Sequence, residues 1–288
     1  FIFAHLMKDK NDNEMSFLDH LEELRWHIIR AVASILVGAI GVFLCKDFIW
    51  NSIILAPTKK TFFTYRLFCR ISDSLCFGPK DNIRMYTRDF GEQFMMHMVS
   101  SFWIGLIIAF PYILWEVWRF VKPGLYSKEQ NVIKGVVAIC SSLFFIGVLF
   151  GYYVVTPFGI SFLTNYTISE SIDTSVSLAS YVENLTMFVL PMGLVFELPV
   201  IVYFLAKVGI LNGPMLKTFR KHAIVAIVIV AAIITPPDVA SQVLVSLPLI
   251  ALYEVSIFIA GRVNPLKKED DEPEEEEEGK EVVEYDHE

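Results

Sequence analysis

The chain has 288 residues, 54% of them hydrophobic, 24 of them phenylalanine, and only 19% charged, below the roughly 25% charged content usual for soluble domains. That balance excludes an ordinary water-soluble globule and makes lipid the main solvent. From Arg262 onward, 13 Asp/Glu stand against 4 Lys/Arg, leaving 20 basic and 19 acidic residues elsewhere; the formal charge of −8 therefore belongs to the tail, and nothing basic enough to expect a nucleic-acid partner remains.

Residues 1–15 read as an unstructured extension. Their opening apolar run is too short for a signal-peptide core and has no basic residues ahead of it, so no cleavable targeting segment is expected. Met7 and Met15 are candidate starts, and the first span is expected to act as the insertion signal. Ser16-Phe17-Leu18-Asp19 then opens a capped helix in which Phe17, Leu21, Leu24 and Ile28 recur at helical spacing. This predicts an amphipathic lead-in helix on the membrane surface, with Glu22, Glu23 and Arg25 turned to water or to a partner.

A membrane helix needs about 20 mostly apolar residues. Six stretches meet or approach that length: 26–44, 94–114, 135–155, 185–205, 223–234 and 243–260. The fifth would cover only about 18 Å at 1.5 Å per residue, so thinning of the bilayer is expected beside it. Thr235-Pro236-Pro237-Asp238 joins it to the sixth in a tight hairpin, because proline has no backbone donor and cannot continue a helix. Residues 262–288, with a nearly unbroken carboxylate run, bury too little apolar surface to order and are expected to be a disordered tail.

Orientation follows from Lys and Arg in the short loops. Arg119, Lys122, Lys128 and Lys134 lie between spans two and three, and Lys207, Lys217, Arg220 and Lys221 between spans four and five. Residues 156–184 contain neither Lys nor Arg. The expected fold is therefore an all-α polytopic membrane protein with six transmembrane helices and both termini cytoplasmic. One loop dissents: residues 46–88 hold eight basic residues yet face outward by parity.

Few groups in the chain can carry chemistry. Cys45 and Cys140 lie in or beside apolar runs, where cysteine packs as a small hydrophobe. Cys69 and Cys76 sit in the outward loop, where an oxidising compartment permits a bridge; no His accompanies them at zinc-ligand spacing. Glu197 lies inside the fourth span, a costly place for an ionisable group. It is either protonated and bonded to a neighbouring helix or turned toward a cavity. Pro191 and Pro199 flank it, and the bend they impose frees backbone groups and favours a concave, groove-like bundle. No glycine-rich phosphate loop, G-x-S-x-G or H-E-x-x-H motif occurs, so neither nucleotide-driven transport nor intramembrane hydrolysis is expected. A proton-coupled solute carrier relaying through Glu197 is the alternative reading, although no inverted repeat is visible.

Four motifs in order carry a more specific signal. Ser16-Phe17-Leu18-Asp19-His20-Leu21-Glu22-Glu23-Leu24-Arg25 resembles the N-terminal signature of the TatC family, and the stretch from Phe120 through Pro123, Leu125 and Tyr126 to Glu129 is similar to that family's Phe-x-x-Pro-x-Leu-Tyr-x-x-Glu segment. Gly193-Leu194-Val195-Phe196-Glu197-Leu198-Pro199 and Thr235-Pro236-Pro237-Asp238-Val239-Ala240-Ser241-Gln242 fall in the order of its later signatures. The resemblance covers a six-span domain over 16–261. It implies a cofactor-free, non-enzymatic core subunit of the twin-arginine export system in the bacterial inner membrane, using the proton-motive force to move folded proteins and self-associating in a larger complex. It further implies that Glu23 and Glu129 receive the paired arginines of a signal peptide, with Arg25 orienting Glu23 and with Phe120, Pro123 and Leu125 shaping the loop. Glu129 alone could equally be a loop carboxylate paired with Lys128 or Arg119. Glu197 is an implied polar contact for the signal peptide or for the helix of a single-span TatA/TatB-type subunit, and Gln242 and Asp238 are implied contacts for such a partner helix. The long basic outer loop and the acidic tail depart from the family pattern.

Overall fold

A computed structural model describes residues 17–71, 77–79, 83, 85–121, 132–169, 175–236 and 239–263. Helix α1 runs unbroken over Phe17–Leu44. The expected surface helix and first span are thus collinear. No glycine or proline occurs between Phe17 and Val37 to turn the chain.

A short helix α2, Lys46–Phe48, leads through a π turn at Ile49–Ile54 and a 3-10 turn at Ala56–Thr58 to α3, Phe63–Ile71. Strand β1, Met85–Tyr86, precedes α4, Glu92–Val121. Helix α5, Val132–Phe150, continues through a π turn at Gly151–Val155 into α6, Thr156–Asn165. Strand β2, Val176–Ser177, pairs parallel with β1, and α7 follows over Leu178–Val195. Four helices follow: α8, Leu198–Lys207; α9, Gly213–Thr218; α10, Arg220–Ile234; and α11, Val239–Arg262.

Among the described residues, five helical stretches are long and apolar enough to cross a membrane: Glu22–Leu44, Glu92–Phe120, Gly135–Asn165, Leu178–Lys207 and Ser241–Arg262. Helix α10 has 15 residues, about 22 Å at 1.5 Å per residue, short of a ~30 Å hydrocarbon core.

Helices in lipid gain nothing from hiding hydrocarbon and associate by close backbone approach. Glycine makes that approach possible here. A Cβ on Gly105 of α4 would meet Ala39 N of α1 at 2.5 Å, and one on Gly147 of α5 would meet Met192 O of α7 at 2.6 Å. The largest core cluster lies where α7, α10 and α11 meet, around Phe188, Met192, Ala231, Val245 and Leu249. Side chains also link the same ends of several helices. Trp118, near the end of α4, lies 4.1 Å from Phe204 of α8, and Ala206 of α8 shares a cluster with Ile257 and Ala260 of α11. The first turns of α1, the last turns of α4 and α8, and the end of α11 therefore gather at one end of the bundle.

At the other end, Glu92 ties the start of α4 to the start of α7 by accepting from the Arg88 and Ala179 backbone N–H groups, the latter at 2.8 Å. Helix α3 joins this cap. Tyr65 OH donates to Pro57 O at 3.1 Å, and burial pushes its phenol well above the ordinary range.

Candidate functional site

Two helices bring polar stripes together in an otherwise apolar contact. Glu23, His27 and Arg30 recur at i, i+4 and i+7 on α1, and Tyr112 and Glu116 at i and i+4 on α4, so each set shares a face. Antiparallel packing through Gly38 and Gly105 aligns them. His27 Nδ1 donates to Glu116 Oε2 at 2.5 Å, and Tyr112 OH donates to Glu116 Oε1 at 2.8 Å. Arg30 Nε forms an ion pair with the same Oε2 at 3.3 Å. His27 and Glu116 are only 4% and 3% exposed. A buried carboxylate is tolerated when donors and counter-charge replace its water, and here they come from both helices.

Glu23 stands on the open side of this clasp. Its Oε1 lies 3.9 Å from His27 Nε2, with the side chain 38% exposed. Among the described residues no Lys or Arg neutralises it, so its oxygens retain capacity for an incoming cation. Phe120 presents its ring edge-on to His27, centroids 6.0 Å apart. Arg25 lies 3.9 Å from Glu22 Oε1 and 5.7 Å from the Trp26 ring centroid. Pro123, Leu125 and Glu129 lie outside the described residues.

Glu197 occupies a break in the fourth span. Pro199 has no N–H to donate to Val195 O, so the chain tightens, with Glu197 N donating to Leu194 O at 3.1 Å, and restarts as α8. The Glu197 carboxylate lies beside the Cys140 thiol, and its Oε1 is buried with no hydrogen-bond partner among the described residues. A buried acceptor left open in this way offers a place for a donor from outside the chain. Gln242 is engaged within the hairpin, its Nε2 donating to Val228 O at 3.3 Å. Asp238 lies outside the described residues. Cys69 is disulfide-bonded, Cys45 and Cys140 are free, and Cys76 lies outside the described residues.

The His27–Glu116–Tyr112–Arg30 cluster was missed as a unit from sequence. Its signal was the i, i+4 recurrence of polar residues on two apolar helices, and nothing in the linear order paired one stripe with the other.

A family model described as Sec-independent protein translocase protein (TatC) matches residues 19–248. The Sec-independent protein translocase protein TatC of Blattabacterium is 36% identical over 265 residues, covering 90% of this chain and all of the relative. Its Helicobacter pylori counterpart (strain 26695) is 39% identical over 252 residues, covering 88% and 90%. A crystal structure of the twin arginine translocase receptor TatC aligns with a TM-score of 0.65 at 31% identity, covering 84% of this chain and 97% of that one.

Proposed function

We propose a function on the premise that the chain belongs to the TatC family of Sec-independent protein translocase proteins: it is the subunit that receives twin-arginine signal peptides and organises single-span partners around them. As a member of that family it is a multi-pass protein of the bacterial inner membrane and a translocase component, not an enzyme. In the proposed orientation the end carrying Glu23 faces the cytoplasm, together with the chain termini, and α10 completes a sixth span in a locally thinned bilayer.

One observation carries the reading. Glu23 projects, partly exposed and free of Lys or Arg among the described residues, from a clasp that fixes α1 against α4, while Phe120 packs on that clasp where the chain departs toward Glu129. Each carboxylate takes one guanidinium of the arginine pair. A guanidinium stays charged at cellular pH and offers a planar fork that matches a carboxylate, which an ammonium does not. Charge-assisted hydrogen bonds contribute about 1.5–3 kcal/mol each, so losing one good contact weakens binding about tenfold or more. Buried His27 and Glu116 hold the α1 backbone so that Glu23 is presented in place. Pro123 and Leu125 shape the loop that presents Glu129, and Arg25 adds charge to the rim beside Glu22.

Glu197, with its open Oε1, and the outer hairpin with Gln242 and Asp238 form the proposed contacts for the apolar part of the signal peptide or for the helix of a single-span subunit. The proton-motive force supplies the energy, and several copies act together.

Glu23→Gln and Glu129→Gln, each removing charge at constant shape, are expected to insert normally yet lose crosslinking of a twin-arginine signal peptide to positions around Glu129. Wild-type crosslinking yield in both variants overturns the assignment.

A further inference from the structure

The eight basic residues of the outer loop run against the charge rule that orients the rest of the chain, and two of them, Arg66 and Arg70, lie on α3. One side of this helix is locked to the protein. Thr64 Oγ1 donates to Tyr153 O at 2.5 Å, Tyr65 is buried, and Phe68 packs edge-on to Phe158 with centroids 5.5 Å apart. The opposite side is bare. Phe63, Leu67 and Ile71, at i, i+4 and i+8, are 57%, 42% and 64% exposed, and Arg66 and Arg70 stand exposed along their flank. An apolar stripe edged by arginines is the pattern of a helix lying in a membrane interface, with hydrocarbon below and guanidinium groups at headgroup level.

Depth and continuity agree with that placement. Phe63 meets Tyr153 edge-on, centroids 6.2 Å apart, and Tyr153 ends an exposed stripe formed with Ile139, Ile146 and Leu149 on the third span. From Gly135, where that span starts, to Tyr153 the rise is about 27 Å at 1.5 Å per residue, close to a full hydrocarbon core. The bare face of α3 therefore continues the lipid-facing surface of the span at its outer boundary. Beside it opens a recess of about 530 Å³ with Lys60, Arg66, Ser161 and Asn165 on its wall. Arginine grips phosphate through two parallel N–H donors.

We propose that α3 is an interfacial anchor that binds anionic phospholipid, its Phe63–Leu67–Ile71 stripe in the acyl region and its Arg66–Arg70 edge on the phosphate. That this is the outer leaflet follows from the proposed orientation; the contact with lipid does not depend on the signal-peptide site. Anchored so, α3 holds the outer cap, which Thr64 and Tyr65 join to the third span, against the membrane surface.

The test uses the full chain with a photoreactive benzophenone side chain at position 67, in nanodiscs of mixed phosphatidylcholine and phosphatidylglycerol, read by intact mass. Phospholipid adducts enriched in phosphatidylglycerol roughly threefold or more above its mole fraction are expected. In the Arg66→Gln/Arg70→Gln variant the adducts are expected to persist with that enrichment gone. Inorganic phosphate at millimolar concentration should leave the enrichment unchanged; if it abolishes the enrichment, the site takes a free ion and not a lipid headgroup. Crosslinks to protein in place of lipid, or no adduct at all because the side chain faces water, overturn the proposal. Signal-peptide crosslinking of the same variant serves as the control for folding and is expected to match wild type.

Discussion

At the scale of single residues, the charge at the proposed site is divided between a buried carboxylate and an exposed one. Glu116 is almost fully enclosed and satisfied by His27, Tyr112 and Arg30, so its charge holds helices together. Glu23, one helical turn from His27, keeps its oxygens open. Removing one member of a buried charged cluster strands the others, at a cost of about 3 kcal/mol or more. Glu116→Ala is accordingly expected to lower the thermal midpoint in detergent strongly, and Glu116→Gln less, since the amide still offers an acceptor to Tyr112. Glu23→Gln should leave the midpoint within a degree or two, because an exposed acid of this kind contributes little to stability. Equal midpoints for Glu116→Ala and Glu23→Gln would remove the distinction. Sequence alone pointed to Glu23 through its motif and gave Glu116 no role.

At the scale of elements, glycine placement decides which helices can touch. Gly105 faces α1 with no room for a methyl group, whereas an added Cβ at Gly41, three residues along from Gly38 on the same helix, meets nothing within 4 Å. Gly105→Ala must therefore push α1 and α4 apart and loosen the His27–Glu116 bond, while Gly41→Ala keeps the contact and gains up to about 1 kcal/mol of helix propensity. In thermal unfolding the first is expected to be destabilised by several degrees and the second to be neutral or slightly stabilised. A neutral Gly105→Ala would mean that the α1–α4 contact is looser than its geometry implies. Length and polarity made the spans legible in advance, including the shortness of α10. Their true extents were less so, since α4 runs past its apolar window to Val121 at the end away from the cap, and the α5–α6 rod runs past its own to Asn165 on the cap side.

At the scale of the whole molecule, the two ends of the bundle differ in character. One gathers the first turns of α1 with the ends of α4, α8 and α11. The other is a cap of short elements held by Glu92 and Tyr65, and Cys69 within it is disulfide-bonded. Cys45, exposed at the end of α1 that adjoins the cap, reports which end faces outward. With the proposed orientation, a membrane-impermeant maleimide added to intact spheroplasts should label Cys45 without permeabilisation. Cys69 and Cys76 should label only after reduction, because we propose that they form the bridge. Labelling of Cys45 only in lysed membranes would invert the orientation.

Hydropathy along the chain was enough to decide that the protein lives in a bilayer and to mark the five helical stretches long and apolar enough to cross it among the described residues, because lipid accepts backbone only when each span satisfies its own hydrogen bonds. The order of short motifs was enough to point to its family. Which polar residues meet was decided only by the fold: His27 and Glu116 are 89 positions apart and become partners because two glycines set the register of their helices. The same holds for α3, whose apolar residues look like core material in one dimension. Only the packing of its opposite face against the third span leaves them turned outward.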